Sequence, residues 1–286
     1  FFGLSIRRDG QPPVDTDQGQ RMSELVPNRL LFRFEVPIRY RRPPVIDGDL
    51  SDWPDEYLLP DFGRLDGRES FARVWLAWHE SGLFLACRIE GRRSPFQCDP
   101  TAFWKGDNLR LMTDMRDTRD LKRASRYCQQ FYFLPTGGGR DRKQPVAGAA
   151  RINRATEHAP PVRDGLIAIA ATRQAASALD AGVERAGRRG GRPLPADAER
   201  LASADERRPS PISSKERLPA DVYTLEAHIP QTALSGFDPI EHSRIGLYVM
   251  VEDRDLGQQY LTVGDELNWH VDPSTWATGV LTPMPR

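Results

Sequence analysis

The sequence predicts an all-β protein, an antiparallel β-sandwich that carries a partly helical or disordered insertion. Three observations predict it. Apolar residues recur at every second position over many short stretches, as they do in half-buried strands. Gly, Pro and Asp clusters separate those stretches, the punctuation expected of a sandwich. The exception within the predicted domain, about 173–219, is dominated by Ala, Arg, Gly and Pro and contains no aromatic residue.

Taken in order, residues 1–28 are polar, with Gly10-Gln11-Pro12-Pro13 and the run Asp15 to Gln20, and hold no period; a leader or flexible arm is expected. The start at Phe1-Phe2-Gly3-Leu4, without methionine, reads as a processed or truncated chain. A single sandwich domain is expected over 29–286, interrupted by the insertion at 173–219. Its first strand is marked by Leu30, Phe32, Phe34 and Val36 alternating with Leu31, Arg33 and Glu35, and Pro37 then limits pairing. Ala72, Val74, Leu76 and Trp78, the turn His79-Glu80-Ser81-Gly82, and Leu83, Leu85, Cys87 and Ile89 predict a β-hairpin. Further strands are expected at Asn108 to Thr113, Cys128 to Leu134, Leu166 to Ala171, Val222 to Ile229, Arg244 to Glu252 and Tyr260 to Val263. Within the insertion, Leu179, Val183 and Ala186 at helical spacing predict one short helix, ended by Gly187 to Arg192.

Composition narrows the functions. Lysine plus arginine equals aspartate plus glutamate at 40 each, so no general field draws nucleic acid or an anionic membrane surface. No apolar run approaches the roughly 20 residues needed to span a bilayer. Cys87, Cys98 and Cys128 are too few and too scattered for a disulfide framework or a zinc site; Cys87 and Cys128 sit in alternating runs as small core residues. No Gly-x-Ser-x-Gly, His-Glu-x-x-His or phosphate loop occurs, and the five histidines are dispersed, so no catalytic residue is assigned. Gly137-Gly138-Gly139 lacks the lysine and helix of a phosphate loop and is expected to be a turn.

Two constellations could bind something. Asp47-Gly48-Asp49 with Asp52 offers several hard oxygens in one turn, as calcium requires, but lacks the spacing and closing glutamate of an EF-hand. Trp104, at the junction Phe103-Trp104-Lys105-Gly106-Asp107-Asn108, and Trp269, in Asn268-Trp269-His270-Val271-Asp272-Pro273, belong to no obvious apolar face. An indole presents its π surface to the C–H face of a pyranose and leaves the hydroxyls free to hydrogen-bond. Two facing rings would make a sugar slot. Trp53, Trp75, Trp78 and Trp276 are expected to pack the core.

Several segments, in order, resemble the family 9 carbohydrate-binding modules and their DOMON-like sandwich relatives. They are Pro44-Val45-Ile46-Asp47-Gly48-Asp49-Leu50-Ser51-Asp52-Trp53, the hairpin Ala72 to Ile89, Trp104-Lys105-Gly106-Asp107-Asn108-Leu109-Arg110-Leu111, Tyr223 to Pro230, and Ile245-Gly246-Leu247 through Asp253 to Trp269 and Trp276. The likeness covers roughly 43–135 and 220–282. It implies non-catalytic binding of an oligosaccharide or polysaccharide end between Trp104 and Trp269, with Arg110, Tyr132 and Asn268 alongside, and a bacterial, extracytoplasmic setting. Three polar positions depart from the family: an acid is Arg110 here, an arginine is Tyr132 and a glutamine is Met250. A missing buried partner costs about 1 to 3 kcal/mol, enough to change sugar preference. Two alternatives stand beside it: a scaffold or assembly protein, favoured by those altered polar positions, whose partner contacts the insertion and the N-terminal arm, or, as in some sandwich relatives, a b-type haem protein using Met112, Met115, Met250, Lys105 or His270.

Overall fold

Alternation fixes where each strand turns its apolar side. In the computed structural model, which describes residues 5–7, 31–61, 69–118, 120–174, 221–262, 264 and 267–283, the alternating runs do form strands. β1 (Ser5–Arg7) pairs antiparallel with β2 (Leu31–Arg33), so part of the expected arm is strand. The rest lie in one sheet: β3 (Glu35–Tyr40), β4 (Ala72–His79), β5 (Gly82–Arg92), β6 (Asn108–Asp114), β7 (Cys128–Gly138), β8 (Gln144–Ala150), β9 (Ala168–Gln174), β10 (Asp221–Pro230), β11 (Arg244–Asp253), β12 (Gly257–Tyr260) and β13 (Ala277–Thr282). Their order is β8-β7-β6-β11-β13-β3-β4-β5-β10-β9, with β12 also on β11. The sheet curls until β9 lies against β7 and β8, so it is nearly closed around one core.

That core is the inward face of every long strand. Val36 and Ile38, Leu76 and Trp78, Leu85 and Ile89, Leu109 and Leu111, Phe131 and Phe133, Leu225 and Ile229, and Leu247 and Val249 are all buried in a single cluster. Each such aliphatic contributes about 1.5–3 kcal/mol relative to exposure. Trp53, Trp75, Trp78 and Trp276 are buried as expected, and so are Cys87 and Cys128. The predicted hairpin forms with Glu80 and Ser81 as its two-residue loop. Gly82 there has φ of 138°, and a Cβ would stand 2.0 Å from the Ile229 carbonyl oxygen, so only glycine fits.

Four expectations are corrected. Strand β3 runs through Pro37, which lies opposite Val280 of β13 in a parallel pairing, and β3 meets β4 in a second parallel pairing, so the sandwich is not wholly antiparallel. The last short strand is Gly257–Tyr260 rather than Tyr260 to Val263. Strands β8 and β13 were not anticipated: Gln-Pro-Val-Ala-Gly-Ala-Ala and Ala-Thr-Gly-Val-Leu-Thr are built of small residues with weak alternation. Arg173 and Gln174, at the front of the expected insertion, belong to β9. The remainder of the insertion, with its predicted helix, lies outside the described residues. Among the described residues no helix is long and apolar enough to cross a membrane.

One buried ionic cluster ties the core to the loops at one end. Arg92, fully buried at the end of β5, donates to both carboxylate oxygens of Asp107 at 2.8 Å and to Asp253 Oδ2 at 2.7 Å. Its remaining N–H groups reach the carbonyls of Ser94 and Pro95 at 2.9 and 2.7 Å. The Tyr223 hydroxyl donates to Asp253 at 3.0 Å, and burial pushes that phenol well above its usual range. Asp107 also accepts from the Gln97 and Arg254 amides at 2.6 and 2.8 Å, so the loop from 93 to 107 is anchored at both ends. Breaking such a cluster from one side leaves an uncompensated buried charge. Asp107→Ala is therefore expected to cost about 3–5 kcal/mol of stability, read from the urea midpoint, whereas loss under about 1 kcal/mol would show the cluster to be incidental.

Candidate functional site

The outward face of the β7-β6-β11 layer holds most of the residues picked out from the sequence. Tyr132 on β7 stands opposite Arg110 on β6, Arg110 opposite Met250 on β11, and Met250 opposite Tyr260 on β12. The three positions at which the chain departs from the family pattern thus form one row across adjacent strands. Gly148 of β8 continues the row, and a Cβ there would stand 2.5 Å from the Tyr132 hydroxyl, so the tyrosine ring occupies that space. Burial, with Asp164 nearby, raises the Tyr132 phenol above its ordinary pKa, and it stays a neutral donor.

Arg110 is 7% exposed and donates to Asn108 Oδ1 and Glu252 Oε2, both at 2.8 Å. Asn108 in turn donates to the Phe103 and Gly106 carbonyls at 3.0 and 2.7 Å, fixing the loop that carries Trp104. In that loop Asp99 caps the turn Pro100–Lys105 by accepting from the Thr101 amide. Phe103 stacks on Tyr132 with centroids 4.4 Å apart, and Trp104 meets Phe103 edge-on at 5.3 Å and 90°. Trp104 remains 50% exposed, a flat ring held from below.

Trp269 is different, and the expected slot is corrected here. It is 2% exposed and belongs to a second buried cluster with Met112, Tyr248, Met250 and Trp276. Tyr248 stacks on it at 4.8 Å and 15°, and the Arg110 guanidinium stands 5.5 Å from its centroid and 5.7 Å from that of Phe103. Side chains therefore fill the path between the two indoles. The structure brings Trp104, Arg110, Tyr132 and Trp269 into one connected cluster but opens only the Trp104 side. Asn268 is exposed and left-handed, with φ of 52°, and its carbonyl accepts from the Val271 and Asp272 amides, so its place is that of a turn residue.

The acidic turn at 47–52 is held by its own hydrogen bonds and an ion pair. Asp47 Oδ1 accepts from the Asp49 amide at 2.8 Å, Asp49 Oδ1 from the Ser51 amide at 3.0 Å, and Asp52 pairs with Arg41 at 2.9 Å. Two of the carboxylates hold their own turn and the third holds Arg41, and among the described residues no three acidic, histidine or cysteine side chains converge as a metal would need. What anchors this turn is Glu226, fully buried on β10. It accepts from Trp53 Nε1 at 2.8 Å and from the Asp47 and Gly48 amides at 3.1 Å. The haem ligands fare no better: Met112, Met115 and Met250 are at most 1% exposed within apolar clusters, while Lys105 and His270 are on the surface. The glycine run 137–139 is the expected turn, closing β7.

A cleft of about 1230 Å³ opens elsewhere, where β3 and β4 pair only through Arg39 with Ala77 and Tyr40 with Trp78. Val36, Val74, Leu59, Val249 and Leu261 form its floor. On its charged rim Arg73 pairs with Asp55, Arg88 with Glu90 and Glu35 with Arg244. None of the candidate binding residues, neither the tryptophans and their polar neighbours nor the acidic turn, lines it. Phe103, Asn108, Glu252 and the Arg92 cluster escaped the sequence analysis; the polar alternation of Asn108 and Arg110 on an otherwise apolar strand was the signal available.

No family model matches the sequence, and no curated protein matches it. Among solved structures, a family 9 carbohydrate-binding module from Caldicellulosiruptor kristjanssonii in complex with cellotriose is similar at TM-score 0.49 and 12% identity, over 88% of this chain and 95% of that one. The glucose complex of a family 9 module from the same organism is similar at TM-score 0.49 and 13% identity, over 88% and 97%. The sandwich itself is established by the chain's own strand order and register.

Two outcomes are expected. Trp269→Ala empties a packed site and should cost about 3–5 kcal/mol by chemical denaturation, whereas Trp104→Ala should change stability by no more than about 0.5 kcal/mol. Equal effects would contradict the burial difference. Burial raises the Glu226 pKa, against the lowering effect of its Trp53, Gly48 and Asp47 donors, so the folded chain holds that proton more tightly than the unfolded one. Its contribution is then fully present below the ordinary glutamate pKa of 4.5 and is lost as pH rises through the raised folded value. Stability measured against pH should lose this acid-favoured component in Glu226→Gln; an unchanged profile would show that the carboxyl titrates normally.

Proposed function

We propose that this chain is a non-catalytic carbohydrate-binding domain whose ligand stacks on Trp104. The observation that carries it is the half-exposed indole, seated edge-on against Phe103 in a loop that Asn108 and the buried Arg92 cluster hold in place. A ring fixed before binding loses little freedom when a sugar arrives, and the pyranose face covers apolar surface that water otherwise wets. Tyr132, half-buried beneath Phe103, and Lys105 beside the ring are the nearby donors. The platform is one-sided, because Trp269 is packed under Tyr248 and Arg110. An extracytoplasmic setting, where structural polysaccharides are met, goes with this reading.

One observation favours a second reading. Arg110 and Glu252 neutralise each other where an open slot was expected, as they would in an assembly protein whose sugar site has closed. Titration with a panel of neutral and charged oligosaccharides, followed by tryptophan fluorescence, separates the two. Binding that weakens by about 1–2 kcal/mol in Trp104→Ala, the size expected for uncovering one face of an aromatic ring, is the outcome expected of the platform. Silence across the panel from a folded protein, or a response untouched by Trp104→Ala, removes it and leaves assembly.

A further inference from the structure

The zero net charge of the chain conceals a strong local imbalance. Between Leu121 and Arg154 there are eight lysines and arginines against a single acid, Asp141. The fold sorts them to the two ends of the β7–β8 hairpin. Because β7 and β8 are antiparallel, the segment entering β7 and the segment leaving β8 meet, and the Thr156 amide and hydroxyl both donate to the Ala124 carbonyl, at 2.8 and 3.0 Å. Lys122, Arg123, Arg126, Arg151 and Arg154 are exposed at that end. Arg140, Arg142 and Lys143 are exposed at the other.

Acids near these groups are fewer and already engaged. Glu157 lies 3.8 Å from Arg126, Asp99 lies 3.7 Å from Arg142, and Asp141 accepts from the Lys143 amide at 3.2 Å. Asp117, which pairs with Arg244 and accepts from Thr278, Asp120 and Asp164 complete the acids of these loops. Between the two basic ends runs a stretch of small, uncharged residues, Ala147, Gly148, Ala149 and Ala150, opposite Tyr132 and its neighbours. Tyr132 is the residue on which Phe103, and through it Trp104, is stacked. The aromatic platform thus stands along the hairpin with positive charge on either side. At about 3.3 Å per residue, β7 is long enough to separate the two charged ends by about 30 Å.

We infer that this face binds an acidic polysaccharide, carrying carboxylate or sulfate groups, laid along the β7–β8 hairpin with one sugar on Trp104 and its charged neighbours at the two basic ends. The inference rests on Trp104 as the sugar platform and names the class of ligand it serves. A field of one sign beside an uncharged strip attracts a polyanion and is screened by salt. A nucleic acid strand would be met by a series of stacking aromatics along the groove, and this face presents one exposed indole.

The test uses the full chain and calorimetric titration with two matched pairs, oligogalacturonate against its methyl ester and dextran sulfate against dextran, with duplex DNA as a third arm. At least one charged member should bind about tenfold or more tighter than its neutral counterpart at low salt, and the difference should close near about 0.5 M salt. Arg123→Glu with Arg151→Glu and Arg154→Glu should abolish that preference with an unchanged thermal midpoint, and Trp104→Ala should weaken both members of the pair. Equal affinity within both pairs, a preference that survives the charge reversal, or duplex DNA bound as tightly as the charged glycan would overturn the inference. If the pairs are equal but Trp104→Ala still weakens neutral sugar, the acidic preference alone falls; if Trp104→Ala changes nothing, the platform falls and the inference with it.

Discussion

Arg92 has five N–H donors and no exposed surface, and its partners come from three segments of the chain. Asp107 belongs to the loop before β6, Asp253 to the end of β11, and Ser94 and Pro95 to the segment just after β5. One cation therefore fixes the relative positions of two strands and a loop. Two aspartates against one arginine would leave an excess negative charge, and the structure answers it with donors: Tyr223 and the Leu256 and Asp255 amides on Asp253, and the Gln97 and Arg254 amides on Asp107. A cluster so fully satisfied acts as a geometric constraint more than as a source of stability. What it constrains is the loop that ends in Phe103 and Trp104.

The two indoles share a sheet face and have opposite fates for a reason of neighbours. Trp269 follows a left-handed turn at Asn268 and lands over Tyr248, where Met112 and Met250 supply an apolar bed and the Trp276 ring nitrogen donates to its carbonyl at 2.8 Å. Trp104 leaves its loop beside Phe103, whose own ring is stacked on Tyr132, and meets it perpendicular rather than in a stack. Arg110 stands between the two and is held by Asn108 and Glu252 rather than by solvent. The face is thus graded from a dry aromatic cluster to an open ring, with the basic ends of the hairpin beyond it.

The opposite layer uses a buried carboxylate for a comparable task. Glu226 gathers Trp53 and the Asp47 and Gly48 amides, and Thr224 donates to the Gly48 carbonyl at 2.6 Å. The Asp-rich turn, which in isolation has the composition of a cation loop, is in this way consumed by its own backbone and by Arg41. Acidic residues two apart in a turn satisfy amides as readily as they satisfy a metal, and only the direction of the oxygens distinguishes the cases.

Residue order alone determined the sandwich, the β4–β5 hairpin, the inward faces of β5, β6, β7, β10 and β11, the packing of four tryptophans, and the grouping of Trp104, Arg110, Tyr132 and Trp269. These follow from alternation and from a linear resemblance, both of which are local in the chain. It did not yield β8 or β13, whose small residues alternate weakly and become strands because their neighbours offer unpaired edges. Nor could it tell which indole is open, whether Arg110 has a partner at 252, or that eight basic residues fall at the two ends of one hairpin. Each of those depends on contacts between segments tens to more than a hundred residues apart, and burial and pairing at that range are settled only when the sheet closes.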